Sequence, residues 1–412
     1  MTAAPFDARN GGAVVHHDVV IVGGGLVGAS LAIALEPTGL DVALLEATAA
    51  GLLPAVFDER NLSFADATVN ALTALGVLEN LRTPGASIRR IHVSRAGDFG
   101  RVRLDAAAYG RDAFGQVVIA RDFGEALEAR LRDLAHVTRY RPARFTGADV
   151  DDGTLRVRLA DDIGERTLSA RLLVGADGTR SQVRDAMQIQ ADEHEYGQTL
   201  FVARVAAERA PDGTAFERFG AHGPIALLPR ADRHFGVVVG VADEDADRVA
   251  ALDDAAFLAY VQQAFGWRAG RFQSVGPRSR YQAASLRARD LVADRSVLVG
   301  NAAQTLHPVG AQGFNLGLRD ALTLAELIQE RAGDPGAPDL LSAYAQRRSD
   351  DRERTLAFSD GLARATANQA LLMRPLRSLG MLALDASPSL QSALAGGAMG
   401  YRGNVPALCR GP

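Results

Sequence analysis

Apolar residues at the start of the chain first follow a strand pattern and then a helical one. Residues 19–22 form a continuous apolar run that is typical of a parallel strand buried on both faces. Small residues over 29–35 then favour a helix, and the segment 41–45 favours a second strand. The pattern therefore predicts a β-α-β unit at the start of a parallel sheet.

Helix-period and strand-period segments alternate through the rest of the chain. In chain order they predict a helix over 67–81, strands over 88–104, a helix over 123–134, a meander over 144–174, antiparallel strands at 200–205, 214–219, 225–228 and 235–241, a covering helix over 255–265, a strand over 297–299 and a helix from Phe314. A Pro/Gly linker at 333–338 precedes a mostly helical remainder.

This order of elements indicates an α/β fold of mixed (α+β) character. The 412 residues, of which 47% are hydrophobic, are enough for two domains. We expect a discontinuous first domain (14–185 and 286–332), an inserted substrate domain with an antiparallel sheet (186–285) and a helical C-terminal region (339–412). Residues 86–112 belong either to the first domain or to the inserted one.

Composition excludes several classes of protein. The formal net charge is −4, which does not favour a nucleic-acid partner. All 45 basic residues are arginine, so neither a Schiff-base lysine nor a P-loop lysine is present. Cys409 is the only cysteine, which excludes an internal disulfide and a cysteine-based metal site and suits a reducing cytoplasm. The histidines show no metal-ligand spacing, and we expect the adjacent His16 and His17 at the surface.

The pattern of apolar residues predicts no membrane-spanning helix, because no run of about 18 uncharged apolar residues occurs. Residues 1–12 lack a signal-peptide pattern, so we expect a cytoplasmic protein. Near the C-terminus, however, Leu372, Leu376, Leu379 and Leu382 follow helical spacing. This stripe could rest on the inner membrane as a peripheral contact. It could equally pack on the first domain or on a partner subunit.

Glycines follow the first predicted strand directly, as Gly23-x-Gly25-x-x-Gly28. Such glycines permit a tight turn, a close approach of the backbone to a pyrophosphate and close contact between helix and strand. Glu46 ends the second strand 21 positions after Gly25, near the spacing expected for a carboxylate that binds a ribose hydroxyl. The whole unit predicts dinucleotide binding; the alternative is a glycine-rich turn with a surface glutamate.

Two later segments have a related character. An apolar strand leads into Gly175-Ala176-Asp177-Gly178, which alone is an ordinary turn. The strand at 297–299 leads into Gly300, then His307-Pro308, then Gly310 and Gly313 ahead of a helix. Amides of a glycine-rich loop at a helix N-terminus favour partial negative charge, such as that of the N1–C2=O edge of a reduced flavin. On its own this segment could be any anion-binding turn.

In this order the three segments resemble the group A flavoprotein monooxygenases, which have a p-hydroxybenzoate-hydroxylase-like fold. Within that family the chain is most similar to the ubiquinone-biosynthesis hydroxylases, in the 2-polyprenyl-6-methoxyphenol hydroxylase branch. The more specific markers are Phe57-Asp58-x-Arg60, Phe114-Gly115-Gln116-Val117-Val118, Glu217-Arg218-Phe219 with His222-Gly223-Pro224, the run from Gly300 to Pro308, Gln346-Arg347-Arg348 and Ala398-Met399-Gly400.

The resemblance implies a Rossmann-like domain that binds one FAD. It assigns Gly23, Gly25 and Gly28 to the pyrophosphate, Glu46 to the adenosine ribose, Arg60 and Arg121 to polar contacts near the flavin, Asp177 to FAD and the nicotinamide donor, Asn301 to the ribityl chain, and Pro308, Gly313 and Asn315 to the isoalloxazine. Two positions depart from the family pattern. Asn301 is neutral where most members are acidic, and Ala311 follows Gly310 in the reverse of the usual order, so its methyl group opposes a positive φ.

The resemblance also implies the chemistry, in which NAD(P)H reduces FAD and O2 forms a flavin C4a-hydroperoxide that hydroxylates a polyprenylated phenol. The isoprenoid tail needs an apolar groove. Alternating apolar residues of the insertion are either its walls or core: Phe201, Phe216, Phe219, Ile225, Leu227 and Phe235. His307 is the candidate proton handler, although it could instead brace the loop. Arg60 either contacts the flavin or pairs with Asp58 or Glu59.

Other functions remain open for this fold. An isoprenoid reductase would saturate the tail without consuming O2 stoichiometrically. The single Trp267 rules out the Trp-x-Trp pair of a halogenase. A flavin-binding member of a ubiquinone-biosynthesis complex without turnover is the alternative from another class. A homo-oligomer is also open.

Overall fold

The computed structural model describes residues 14–151, 153–220, 223–307, 309–367, 373–401 and 403–411. Its strands are β1 Val15–Val22, β2 Val42–Leu45, β3 Asn61–Ala65, β4 Ala86–Ser87, β5 Arg90–Arg95, β6 Arg101–Asp105, β7 Gly115–Ile119, β8 Val137–Tyr140, β9 Ala143–Asp151, β10 Thr154–Asp161, β11 Gly164–Gly175, β12 Ala191–Ala207, β13 Thr214–Phe219, β14 Pro224–Pro229, β15 Phe235–Ala242, β16 Phe272–Val275, β17 Ser279–Ala288, β18 Val292–Ala293, β19 Ser296–Leu298 and β20 Gln304–Thr305.

Its α-helices are α1 Leu26–Ala34, α2 Asp66–Ala74, α3 Ala120–Arg132, α4 Gln182–Ala186, α5 Asp243–Ala250, α6 Asp254–Phe265, α7 Gly313–Arg331, α8 Pro338–Ala367, α9 Met373–Ala386 and α10 Pro388–Ala398. Short 3₁₀ turns lie between them, including Gly300–Ala302. None of the described helices is both long and apolar enough to cross a bilayer.

The first sheet has the order β18-β19-β11-β1-β2-β8, with the meander β9-β10 attached to β11. β1 pairs in parallel with β11 on one side and β2 on the other, and β11 pairs in parallel with β19. The apolar run predicted as a buried strand is indeed buried, since Val19, Val20 and Ile21 are all inaccessible to solvent. Since β8 also pairs in parallel with β2, the carboxyl ends of five strands are aligned at one edge.

The second sheet has the order β20-β17-β12-β15-β14-β13-β5-β6, with β16 attached to β12. The four strands β12, β15, β14 and β13 pair antiparallel with one another in this order, as predicted. β13, however, pairs in parallel with β5 on its other side. Through this pair the strands β5 and β6, from the region 86–112, join the same sheet as the insertion. β3, β7 and β4 form a separate small sheet.

Helices α5 and α6 cover one face of the second sheet, called here the outer face. Five of the six proposed groove residues pack into this core or against it: Phe201, Phe216, Ile225, Leu227 and Phe235. The groove interpretation is wrong for these five, because side chains that alternate on a sheet face pack against whichever helix covers it. Phe219 is buried as well but lies on the opposite, inner face.

Two local predictions need correction. The helix predicted over 67–81 ends at Ala74, because Gly76 adopts φ +68 and the chain leaves the helical path there. His17 is buried rather than exposed, since its Nε2 lies 2.8 Å from the Tyr140 hydroxyl and its Nδ1 lies 3.1 Å from Asp41. A histidine at a strand end is drawn inward when such partners are available.

Candidate active site

The three glycine-containing segments meet at the carboxyl edge of the first sheet. The strand register aligns Val22 with both Gly175 and Leu45, and Gly175 with Leu298. The loops that follow these residues are therefore neighbours. The Ala176 amide donates to the Val22 carbonyl at 2.9 Å, and the Val299 amide donates to the Gly175 carbonyl at 3.0 Å. Ligands of open parallel sheets bind at this kind of edge.

Glycine is required at two positions of the first loop, Gly23 and Gly28, because no side chain fits at either. A Cβ on Gly23, which has φ +107, would lie 2.5 Å from the Ala176 carbonyl oxygen. A Cβ on Gly28 would lie 1.9 Å from the Gly23 carbonyl oxygen. A Cβ on Gly25, in contrast, would have only the Val56 side chain within 4 Å, at 3.8 Å. The loop is thus packed on the sheet side and open above the start of α1.

The N-terminus of α1 has no side-chain cap at Gly25. Its first amides are therefore available to an anionic group that approaches from the open side. Glu46 lies next to this loop, where its carboxylate accepts hydrogen bonds from the Gly24 amide at 2.9 Å and the Thr48 amide at 2.7 Å. One acid thus joins the end of β2 to the glycine loop.

Asp177 lies in the loop after β11 and contacts the first turn of the short helix α4, whose N-cap is Ser181. Its carboxylate accepts hydrogen bonds from the Ser181 hydroxyl at 2.5 Å and the Val183 amide at 3.1 Å. Burial raises the pKa of Asp177, although these hydrogen bonds act in the opposite direction. The observed contacts of Asp177 are structural, and its predicted contact with FAD and the nicotinamide donor stays a prediction.

The loop after β19 is held in place by a buried ionic network on helices α7 and α8. The Asp320 carboxylate accepts hydrogen bonds from the Gly300 amide at 3.1 Å and the Gln304 amide group at 2.6 Å. Its other oxygen accepts the Arg348 Nε at 2.7 Å. Arg352 donates to the Gln304 side chain at 2.8 Å and to the Ala303 carbonyl at 3.1 Å. Helices α7 and α8 thereby fix the backbone of this loop.

Sequence reasoning missed this network. Gln304 and Arg348 occur within family markers, but the sequence pattern assigns no role to them, to Asp320 or to Arg352. The spacing of Arg348, Asp351 and Arg352 on one helix is a signal that could have found it. Which acid faces each arginine depends on how α7 and α8 pack, and this does not follow from local sequence.

The residues of this loop that are predicted to contact the flavin differ in their surroundings. Asn301 is exposed at the edge of the sheet. Gly313 is the first residue of α7, a helix that also lacks a side-chain cap. A Cβ on Gly313 would meet no described atom within 4 Å. Pro308 lies outside the described residues.

Ala311 takes up a left-handed conformation with φ +50, next to Gly310 at φ +76. The reversed order of these two residues is therefore accommodated, at the energetic cost of an alanine in a region that favours glycine. Asn315 is buried beneath the loop, where Ala65 and Thr68 donate to its side-chain oxygen at 2.8 and 2.7 Å. Its amide nitrogen donates to Ser63 and Ala311 carbonyls at 2.9 and 2.8 Å, so these contacts tie the loop to β3.

His307 is buried just after β20. Its ring lies 4.6 Å from that of Tyr196 on β12, at 78°. Burial lowers the pKa of His307 to about 4, although Asp360 acts in the opposite direction. The Val309 amide donates to Nδ1 at 3.2 Å, which assigns the proton of the neutral ring to Nε2. His307 thus braces its loop and is neutral at pH 7.

Arg60 forms a two-point hydrogen bond with Asp58, with both distances 2.8 Å. Its guanidinium also lies over the Tyr281 ring at 4.3 Å, and the Tyr281 hydroxyl donates to Asp58 at 2.5 Å. Burial raises the pKa of Asp58, but hydrogen bonds from Arg60 and Tyr281 lower it below its ordinary value. Arg121 pairs with Glu59 at 2.8 Å on the surface. The ion-pair alternative for Arg60 is present in the structure.

The residues at this edge fit a dinucleotide cofactor such as FAD. The first loop packs tightly on the sheet at Gly23 and Gly28 and has no side chain at Gly25, on the open side where a pyrophosphate would approach. Two helix N-termini offer free amides, and Glu46 lies beside the first of them.

Comparison with known proteins agrees with this geometry. The family model described as FAD binding domain matches residues 16–359. Ubiquinone hydroxylase UbiL of Rhodospirillum rubrum is 36% identical over 93% of this chain and 89% of its own length. The 3-demethoxyubiquinol 3-hydroxylase of Escherichia coli is 27% identical over 89% of this chain and 94% of its own length.

A solved structure supports the fold. The p-nitrophenol 4-monooxygenase PnpA of Pseudomonas putida superposes with a TM-score of 0.78 and 18% identity, over 95% of this chain and all of that one. Both the predicted fold class and the predicted family are therefore confirmed. The chain belongs to the FAD binding domain family, within the FAD-dependent monooxygenases that include the ubiquinone hydroxylases.

Proposed function

We propose that this monooxygenase uses NAD(P)H and O2 to hydroxylate the ring of a polyprenylated phenol in ubiquinone biosynthesis. The main support is its similarity over nearly its whole length to a ubiquinone hydroxylase. The convergence of the loops that follow β1, β2, β11 and β19 gives the proposal a physical basis. Reduced FAD together with O2 supplies an electrophilic oxygen, which suits an electron-rich phenol ring.

The residues of the chain would bind the cofactor, orient it and keep water out. Gly23, Gly25 and Gly28 would face the pyrophosphate, and Glu46 would bind the ribose. The amides at the start of α7, beginning at Gly313, would stabilise negative charge on the flavin. Asn301 would accept a ribityl hydroxyl through its amide oxygen.

The neutral His307 would contribute to this site as a hydrogen-bond donor rather than as an acid. Its Nδ1 already accepts the Val309 amide, so only Nε2–H is free to donate. Its low pKa keeps the ring uncharged throughout the neutral range. Its burial beside Tyr196 excludes water from one wall of the site.

We also propose that the protein works as a peripheral protein at the cytoplasmic surface of a membrane, where a substrate with an isoprenoid tail resides. Helix α9 packs one side on β6, since Asp385 accepts the Arg103 amide at 2.9 Å. On another side Leu379 and Leu382 remain 57% and 41% exposed, and Phe99 beside them is 67% exposed. Leu372 lies outside the described residues.

The deciding experiment follows labelled oxygen. The purified protein should be yellow, and a prenylated phenol should increase its NAD(P)H oxidation, with one atom of ¹⁸O2 in the product. The same phenol lacking its prenyl tail is the matched control and should be a poorer substrate. NAD(P)H oxidation without label in any product would contradict hydroxylation. Saturation of the prenyl tail without O2 consumption would indicate a reductase instead.

A further inference from the structure

Glu217 lies in the middle of β13, and its neighbours along the strand define which way it points. Phe216 lies 5.6 Å from Phe265 of α6, and the Arg218 guanidinium donates to the Ala264 carbonyl at 3.1 Å. Both therefore face the helices on the outer face. Because successive strand residues alternate, Glu217 points to the inner face, together with Ala215 and Phe219.

The inner face is the one that meets the segments around the proposed flavin site. Tyr281 of β17 donates to Asp58 at 2.5 Å, and a Cβ on Gly236 of β15 would lie 1.5 Å from the Asn61 side chain. Arg230, which follows β14, donates to the Asn61 side chain at 3.0 Å. Glu217 thus belongs to a sheet face that is closed over β3 and its flanking residues.

The neighbours of Glu217 on this face are apolar. In the strand register it is opposite Ala226 of β14 and Val93 of β5, and Ala226 is opposite Val238 of β15. Strands lie about 4.8 Å apart, so Glu217 is about 10 Å across the sheet from Val238. The nearest charged residue on this face of β5 is Arg95, two positions beyond Val93.

The Glu217 carboxylate forms no hydrogen bond and no ion pair with any residue that the structure describes. Its side chain is half-buried, so part of its surface borders a space that solvent can reach. Burial raises the pKa of Glu217 to about 7. A half-buried carboxyl without a polar partner among the described residues has no structural contact that would explain its position.

We propose that Glu217 receives the hydrogen bond, and then the proton, of the phenol hydroxyl of the bound substrate. This inference rests on the proposed function and adds a catalytic residue to it. In the step the phenol O–H bond breaks, a carboxyl O–H bond forms on Glu217, and the electron pair stays on the phenol oxygen. The extra electron density reaches the ring carbons ortho and para to that oxygen, where an electrophilic oxygen attacks.

Two variants separate the two parts of this role. Glu217→Gln keeps an acceptor oxygen but cannot take a proton, whereas Glu217→Leu loses both. The first measurement is the affinity for a prenylated phenol and for its methyl ether. Binding is detected, without turnover, by the change in flavin absorbance. Parent and Glu217→Gln should prefer the phenol by about tenfold, the size of one hydrogen bond, and Glu217→Leu should lose the preference. The second measurement is ¹⁸O incorporation, which should fall about a hundredfold or more in Glu217→Gln.

Glu244→Gln is the matched control, since Glu244 is exposed on α5 in the same part of the chain. It should behave as the parent in both measurements. A Glu217→Gln variant that incorporates ¹⁸O within twofold of the parent would overturn the proton transfer, and a Glu217→Leu variant that still prefers the phenol would overturn the contact. If the parent itself hydroxylates no prenylated phenol, the proposed function fails first. If Glu217→Leu does not fold, the isosteric Glu217→Gln still decides the proton transfer.

Discussion

Gly313 allows a test of the flavin site at the scale of one residue. Because a Cβ there would meet no described atom within 4 Å, Gly313→Ala should fold normally, and its free energy of unfolding should rise by up to about 1 kcal/mol. If α7 begins against the isoalloxazine, the added methyl group will occupy cofactor space. We expect FAD to bind at least about tenfold more weakly, a loss of about 1.4 kcal/mol, measured by flavin fluorescence titration.

Gly361 on α8 provides the control for this substitution. It is exposed, and a Cβ there would also meet no described atom within 4 Å. Gly361→Ala should therefore stabilise its helix by a similar amount and leave FAD affinity unchanged. Equal FAD affinity in both variants would show that Gly313 does not contact the cofactor.

At the same scale, the backbone conformation of Ala311 could not be predicted from the sequence pattern. Ala311 was expected to oppose a positive φ, yet it adopts φ +50, because Asn315 beneath it holds its carbonyl at 2.8 Å. A residue can remain in an unfavourable conformation when surrounding contacts determine it. The reversed Gly310-Ala311 order therefore gives no support to a member without turnover.

Among elements, α8 is the one that fixes the third loop of the site. Arg348 is completely buried and contacts Asp320 of α7 and Asp351 at 2.7 Å each. Burial alone would lower the pKa of Arg348, but the two carboxylates raise it above its ordinary value, so the arginine stays charged. Arg348→Met would leave these acids without that partner. We expect a loss of about 3–5 kcal/mol in the free energy of unfolding, measured by urea denaturation.

Arg354→Met is the control on the same helix. Arg354 pairs with Asp350 at 2.7 Å, but both side chains are more than half exposed. Solvent screens such a pair, so its removal should change stability little. Because Asp320 also holds the Gly300 amide, Arg348→Met should weaken FAD binding as well. Equal stability of the two variants would contradict a supporting role of the buried network.

The elements that sequence predicted well are those with a local signal. The apolar runs that became β1 and β11 are visible as continuous segments of the sequence, and Gly23 and Gly28 belong to one short motif with a fixed spacing. The parallel pairing of β13 with β5 and the burial of His17 depend on residues more than 20 positions away. No periodicity within one element contains that information, which also explains why the outer-face phenylalanines were open to two interpretations.

In the whole molecule, the second large sheet contacts segments that lie near the proposed flavin site. Tyr281 contacts Asp58, Arg230 contacts Asn61 and Tyr196 contacts His307, so three strands or strand ends of one sheet meet the loops of the other half. A ring that binds beneath this sheet would be shielded from water. A long isoprenoid tail must then enter from outside, so the exposed apolar surface of the molecule is relevant to how the substrate is delivered.

The apolar patch formed by Phe99, Leu379 and Leu382 is the surface at which we expect contact with the membrane. The Phe99 amide donates to Ser378 of α9 at 3.3 Å, so the three residues are close neighbours. Two half-exposed leucines inserted into the lipid interface would together contribute about 2 kcal/mol, or about thirtyfold in partitioning. The double variant Leu379→Ser/Leu382→Ser should lose about that much binding in a vesicle flotation assay.

The control is Ile163→Ser, because Ile163 is 85% exposed at the turn between β10 and β11 of the other sheet. This variant removes a similar apolar side chain from a different sheet than the one on which α9 packs, and it should leave flotation unchanged. Hydroxylation of a short-tailed phenol dissolved in water should be equal in all three proteins, since the patch is outside the proposed site. If the double variant floats as the parent does, the exposed leucines do not mediate membrane contact. A partner subunit that covers them, visible as a loss of oligomers in the same variant, would then explain their exposure.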